Sequence, residues 1–268
     1  MKKVLLLLIA LSSFIFSQDL TGDRICIDPG HGGSESDDRY MATTGFWESE
    51  SNLTKGLELR DILQGLGADV AITRTGNFDP PPSDPGESTP DDPTLSQRVG
   101  IANAFNADYF NSNHSNGFNG QANYAMVIYN GTSDSPTFPA ARTMANIMAP
   151  EIHAVNYTTN DRVIGDLTLN PSWTNGYGVL YPANMPATIS EGSFHDYIPE
   201  SWRLMNLSYR KHEARALARS YLEYFGEPGF STGAIAGVVR DQENGVDYFA
   251  FTSLQDQYAP VNNIQVNI

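Results

Sequence analysis

The stretch Ile25–Gly33, ICIDPGHGG, ends a short apolar run by presenting one imidazole, His31, from a loop of nearly bare backbone. Glu48, His114 (in NSNHSNG) and Glu191 (closing PATISE) stand in settings that bring them to the same place. Two imidazoles and a carboxylate suit Zn²⁺ with one coordination position left open, and a further carboxylate suits a base. The reading is a zinc hydrolase in which His31, Glu48 and His114 hold one ion per catalytic domain and Glu191 moves protons. A single histidine after a strand is usually an ordinary loop residue; it is the convergence of four such groups that carries the argument.

That convergence needs a scaffold. Apolar runs at 24–28, 69–73, 107–111, 124–129 and 186–190 read as strands, mostly unbroken and so covered on both faces. Helical periods lie between them. Leu53, Leu57, Ile62, Leu63 and Leu66 mark a helix over 52–66 that stops at Gly67, and Leu95, Val99, Ala102 and Phe105 mark another over 94–105. A third begins near Pro139 with a break or kink at Pro150, and the longest runs over 202–225 to Gly226. The fold class is α/β, a mostly parallel sheet flanked by helices on both faces. In such a sheet ligands gather beyond the carboxyl ends of the strands. His31, His114 and Glu191 follow strands to that edge, and Glu48 sits just ahead of a helix that returns from it. Gly30, Gly32 and Gly33 allow close approach around an ion. Asp28 is placed either to orient a ligand imidazole or to cap the turn.

The rest of the chain sets bounds. Lys2 and Lys3 precede an apolar block from Val4 to Phe16, the order of a secretory signal, with Ser17 at the cleavage point and Gln18 first in the mature chain. The block is too short for a comfortable membrane span, so stable membrane insertion after its removal is not expected. The one cysteine, Cys26, lies in the first apolar run, reads as a core thiol and excludes an intrachain disulfide. A formal charge of −15 with no cluster of Lys and Arg argues against nucleic acid. Residues 79–93, rich in proline and acid, read as an exposed loop rather than a Ca²⁺ site. After Phe230 β-type runs separated by turns replace the helical period. Residues 233–268 therefore read as a partial, truncated all-β module, similar to the opening strands of carboxypeptidase-regulatory-like modules, with too few strands for a closed sandwich. The domain division is 1–17 signal, 22–227 catalytic domain and 233–268 β module.

Over about 24–225 the residues resemble the zinc-dependent N-acetylmuramoyl-L-alanine amidases of the Amidase_3 type. Asp28–Gly33 carries the strand-ending Asp-Pro-Gly-His-Gly-Gly, and Glu48, Glu50, Asn52 and Leu53 match the Glu-x-Asp/Glu-x-Asn-Leu element. Thr73, Arg74, Leu95, Arg98, Ala102, Asn103, Ala107, Asp108 and Phe110 follow the spacing up to the second histidine, His114, and Met185, Pro186 and Ala187 precede the catalytic glutamate, Glu191. Asn111 and Asn113 stand where the family has aliphatic residues, no arginine stands near Tyr181, and His195 replaces a residue that is small and polar. Asn113 beside the second ligand is placed to tune the metal site or is simply tolerated by a looser strand. His195 reads as an exposed loop residue, with lining the cleft the alternative. His153 and His212 have no role.

What the resemblance implies is cleavage of the bond between the lactyl group of N-acetylmuramic acid and L-alanine in peptidoglycan. Peptidoglycan lies outside the cytoplasmic membrane, which agrees with export to periplasm, cell surface or medium. Trp173 and Tyr177, between the third helix and the Glu191 strand, are candidates to stack on sugar rings, with core or loop-anchoring aromatics the commoner alternative. Two rival readings stay open: a zinc peptidase that trims the stem peptides, and a non-catalytic cell-wall binding protein. The oligomeric state is not legible; a monomer is the expectation.

Overall fold

The computed structural model describes residues 18–32, 39–77, 90–233, 239–245 and 258–261. The signal segment 1–17, Gly33, most of the 79–93 loop and most of the C-terminal segment lie outside the described residues. The elements are β1 (Arg24–Pro29), α1 (Glu48–Gly65), β2 (Asp69–Ile72), α2 (Leu95–Phe105), β3 (Tyr109–Asn116), β4 (Ala125–Tyr129), α3 (Pro139–Asn156), β5 (Asp161–Gly165), α4 (Asp166–Leu169), β6 (Ala187–Phe194), α5 (Ile198–Leu204), α6 (Leu207–Phe225), β7 (Arg240–Gly245) and β8 (Tyr258–Pro260). Strands β1 to β6 form one sheet in the order β2-β1-β3-β6-β4-β5. Every neighbouring pair in it is parallel except β4 with β6. The α/β reading holds, with one antiparallel joint.

Side chains alternate across each strand, and the two faces are covered differently. Ile25 and Ile27 of β1, Val127 and Tyr129 of β4 are buried against Leu59 and Leu63 of α1, Met144, Met148 and Ile152 of α3, and Leu217 and Tyr221 of α6. The other face buries Cys26, Phe110, Met126, Ile128 and Ile189 against Val99 and Ala102 of α2 and against Val179, Leu180 and Met185. Truncating one of the large side chains in either layer to alanine costs about 2–5 kcal/mol. Among the described residues no helix is long and apolar enough to cross a membrane.

Several expected boundaries move, each for a physical reason. Helix α1 starts at Glu48 rather than Asn52, because Glu48 and Glu50 supply the negative charge its first turn favours, although Trp47 offers no side-chain cap. Helix α3 continues through Pro150 to Asn156 without the expected break. The long terminal helix is two: Asn206 accepts from the N–H groups of Ser208 (2.9 Å) and Tyr209 (3.3 Å), ending α5 and capping α6. Strands β3 and β6 run past the expected 111 and 190, so His114 and Glu191 lie within strands rather than in loops beyond them. β5 and α4 were not expected. In the C-terminal segment β7 and β8 pair antiparallel, apart from the six-stranded sheet.

Candidate active site

His114 and Glu191 are direct partners in the parallel β3–β6 register, so their side chains leave the same face of the sheet side by side. His31 comes from the turn after β1, and Glu48 from the first turn of α1. All four line a cleft of about 480 Å³, together with Arg39, Leu95, Tyr177 and His195. One ligand atom from each of His31, Glu48 and His114 lies within 4.8 Å of the others. His31 Nε2 is 3.3 Å from Glu48 Oε2, and His114 Nδ1 is 3.2 Å from Glu48 Oε1.

Glu48 Oε1 accepts from Ser115 N (3.1 Å) and Asn52 Nδ2 (3.2 Å), while the buried Oε2 has no hydrogen bond among the described residues. His114 Nε2 lies 3.0 Å from Ser112 Oγ, and Ser112 donates in turn to Asp28 Oδ2 at 2.6 Å. The Ser112 proton is committed to Asp28, so the imidazole carries its hydrogen on Nε2 and leaves Nδ1, the nitrogen beside Glu48, unprotonated. Asp28 is fixed by Thr73 Oγ1 (2.5 Å) and Arg98 Nη1 (2.7 Å). Thus Asp28 reaches the imidazole through a serine that the sequence did not single out.

The His31 turn is strained and gripped. His31 has φ 59°, a left-handed conformation that costs a non-glycine residue about 1 kcal/mol or more. Arg98 Nη2 donates to His31 O (2.8 Å), and Arg74 donates to Pro29 O (2.9 Å) and Gly30 O (3.0 Å). Gly30 is required because a Cβ there would collide with the His114 ring. Both arginines are buried, and the sequence offered no sign of this use.

Charge follows from this packing. Burial alone would raise the Glu48 carboxyl, but the His31 and His114 imidazoles hold it well below the ordinary carboxylate range. Burial lowers His114 against the pull of Glu48, which favours the neutral ring. Glu191 goes the other way: burial, then the charge of Glu48, pushes it up to about 8. Its buried Oε2 has no hydrogen bond among the described residues. The pocket thus holds two carboxylate oxygens, on Glu48 and Glu191, with no hydrogen bond among the described residues, together with two imidazoles. That donor set fits a divalent cation beside a proton-accepting carboxylate.

The remaining candidates fall in different places. His195 is not an exposed loop residue: it is 6% exposed, stacks on Phe46 at 5.9 Å, and its Nδ1 lies 2.9 Å from Ser115 O on the cleft wall. Asn113 projects to the face opposite His114 and donates to Asn52 O (2.8 Å) on α1, so it does not border the cleft. Tyr177 lines the cleft, held there because Asp166 accepts from its backbone N–H at 2.9 Å. Trp173, 37% exposed, stands behind it, edge-on at 4.7 Å, outside the cleft lining. His153 Nδ1 pairs with Thr158 Oγ1 (2.8 Å) on the far side of the sheet. Arg39, 3.4 Å from Glu48 Oε2, is a cleft cation that sequence reading missed.

Known proteins resemble this chain in sequence and fold. The family model described as N-acetylmuramoyl-L-alanine amidase matches residues 25–222. The N-acetylmuramoyl-L-alanine amidase CwlM of Bacillus licheniformis is 30% identical over 202 residues, covering 75% of this chain and 68% of that protein. The sporulation-specific N-acetylmuramoyl-L-alanine amidase of Bacillus subtilis is 30% identical over 204 residues, with the same coverage, 75% and 68%. The fold matches the catalytic domain of the amidase CwlV from Bacillus (Paenibacillus) polymyxa with a TM-score of 0.62 at 21% identity, covering 77% of this chain and 99% of that one. An amidase structure from Clostridium difficile 630 matches with a TM-score of 0.63 at 22% identity, covering 77% and 98%. With three-quarters of its length accounted for by one family model and the buried cleft residues in place, this chain belongs to the N-acetylmuramoyl-L-alanine amidase family.

Proposed function

We propose that the protein is an exported, zinc-dependent hydrolase of peptidoglycan, cleaving the amide between the lactyl group of N-acetylmuramic acid and L-alanine of the stem peptide. The observation that carries this reading is the meeting of His31, Glu48 and His114 within 4.8 Å, on the wall that also presents Glu191. His31 Nε2, Glu48 Oε2 and His114 Nδ1 would hold the ion. When bound, zinc supplies a water pKa near about 7 and polarises the scissile carbonyl.

The protein's own residues do the rest. Glu191, which lines the cleft, takes the proton of the attacking water and passes it to the departing alanine nitrogen. Ser112 and Asp28 keep the His114 ring in one tautomer throughout. Tyr177 closes the wall opposite, where it limits water and meets the substrate, with Trp173 as its support. His195 rigidifies the Ser115 backbone, whose N–H orients Glu48. The acidic surface and the 1–17 segment accord with a protein acting outside the cytoplasmic membrane, as a monomer.

Digestion of purified cell walls tests the reading. Amidase action releases stem peptides with a free alanine amino terminus, whereas a stem-peptide peptidase leaves shortened stems on the glycan. Sequencing the secreted protein from Gln18 checks the leader.

A further inference from the structure

On the face of the sheet away from the cleft lies an ion pair the mechanism does not use. Lys55 of α1 and Glu213 of α6 are both 0% exposed, with Nζ and Oε1 3.0 Å apart. Burying two charges is costly, and such a pair is often no more stabilising than apolar side chains of the same size. What distinguishes this one is where its remaining bonds go. Lys55 Nζ donates to the backbone carbonyl of His114 at 2.9 Å. Glu213 Oε2 accepts from Asn156 Nδ2 (2.8 Å), and the same amide donates to the carbonyl of Gly192 at 2.9 Å. Gly192 follows Glu191, and a Cβ on it would collide with the Glu213 carboxylate. Tyr209 OH donates to Asn156 O (3.0 Å) and ties α6 to the end of α3.

Glu48, Asn52 and Lys55 also form one stripe on α1 at i, i+4 and i+7. One helix therefore delivers the carboxylate to the cleft and the ammonium to the underside of the strand beside it. We infer that the Lys55–Glu213 pair is a positioning device for the active site: it grips the β3 and β6 backbones at His114 and Gly192 and so sets how His114 and Glu191 stand relative to Glu48. Electrostatics agrees with a geometric role, since at Glu191 the lowering effect of Lys55 is opposed by Glu213.

The inference rests on the proposed metal site, and the test separates the two. The double variant Lys55→Met/Glu213→Leu removes both charges together, leaving neither uncompensated. It is compared with wild type in cooperative thermal unfolding, kcat and KM on solubilised peptidoglycan, and Co²⁺ titration of the metal-stripped protein followed by visible absorption. The expected result is a folded protein with KM unchanged within about twofold, kcat per metal-loaded site lower by ~10-fold, and Co²⁺ bound ~10-fold more weakly with an altered spectrum, the scale of losses seen when groups behind a metal ligand are removed. Wild-type kcat, affinity and spectrum, whatever the melting temperature, would overturn it. Should the double variant not fold, Asn156→Ala, which removes the amide joining Glu213 to the Gly192 carbonyl and leaves the Lys55–Glu213 contact in place, is expected to lower kcat ~3- to 10-fold at constant KM, and wild-type kcat there overturns the inference equally. Failure of the wild type to bind Co²⁺, or binding unaffected by His114→Ala, would instead sink the metal reading, and the kcat comparison would still decide the role of the pair.

Discussion

Ser112→Ala isolates the relay behind the second imidazole. The hydroxyl is 3.0 Å from His114 Nε2 and 2.6 Å from Asp28 Oδ2, in a strand position that is 1% exposed. Its removal leaves Asp28 Oδ2 without its donor, although Oδ1 keeps Thr73 and Arg98. A buried acceptor left unmade costs about 1–3 kcal/mol, and for a domain of this size about 2 kcal/mol lowers Tm by about 4–8 °C. The second effect falls on the ligand. Without the serine, His114 Nε2–H has no fixed acceptor, the ring is free to rotate or change tautomer, and metal affinity falls by about 10–100-fold. Melting followed by circular dichroism, with Zn²⁺ competition titration on the same preparation, reads both. A variant that loses stability yet keeps metal affinity within threefold of wild type would refute the orienting role and leave Ser112 a packing residue only.

Other perturbations follow from the same contacts. Glu191→Gln is expected to lower kcat by about 10²–10⁴-fold while metal content stays at the wild-type level; activity within tenfold of wild type would remove Glu191 as the base. In the metal-free protein Glu191 is pushed up to about 8 from an ordinary 4.5, so the folded state holds its proton more tightly. Its contribution is therefore full below about pH 4.5 and is lost as pH rises through 8, an effect on the order of a few kcal/mol. Urea unfolding of metal-free wild type and Glu191→Gln between pH 5 and 8.5 should show the variant gaining on wild type as pH rises, and parallel curves would contradict the assignment. Arg98→Met removes the ion-pair partner of the buried Asp28 and frees the His31 carbonyl, with an expected loss of about 3–5 kcal/mol in chemical denaturation.

How much of this was legible in the sequence depended on whether partners are near in the chain. β1, β2 and β4 are runs of apolar residues, and their period was enough. β3 and β6 extend further than their apolar portions because their polar residues satisfy one another across the sheet: Asn111 with Thr188 (2.9 Å) and Ser190 (3.1 Å), and Ser112 with Asp28. No local signal announces that pairing. That His31, Glu48, His114 and Glu191 meet in one cleft was readable, since strand direction alone brings three of them to one edge. Arg74 and Arg98 were matched but given no work, because the carbonyls they hold belong to a turn distant in sequence. His195 looked like a loop residue because Phe46, which covers it, comes from the segment before α1. The Lys55–Glu213 pair was invisible for the same reason, a lysine in a helical period ordinarily reading as solvated.

Zinc content measured by elemental analysis on wild type, His31→Ala, Glu48→Ala and His114→Ala, each purified without added metal, tests the central claim most directly. The account predicts about one zinc per wild-type chain and a large loss in each variant. Wild-type protein that carries none and takes none up on dialysis against Zn²⁺, or a variant that keeps its full complement, would contradict it.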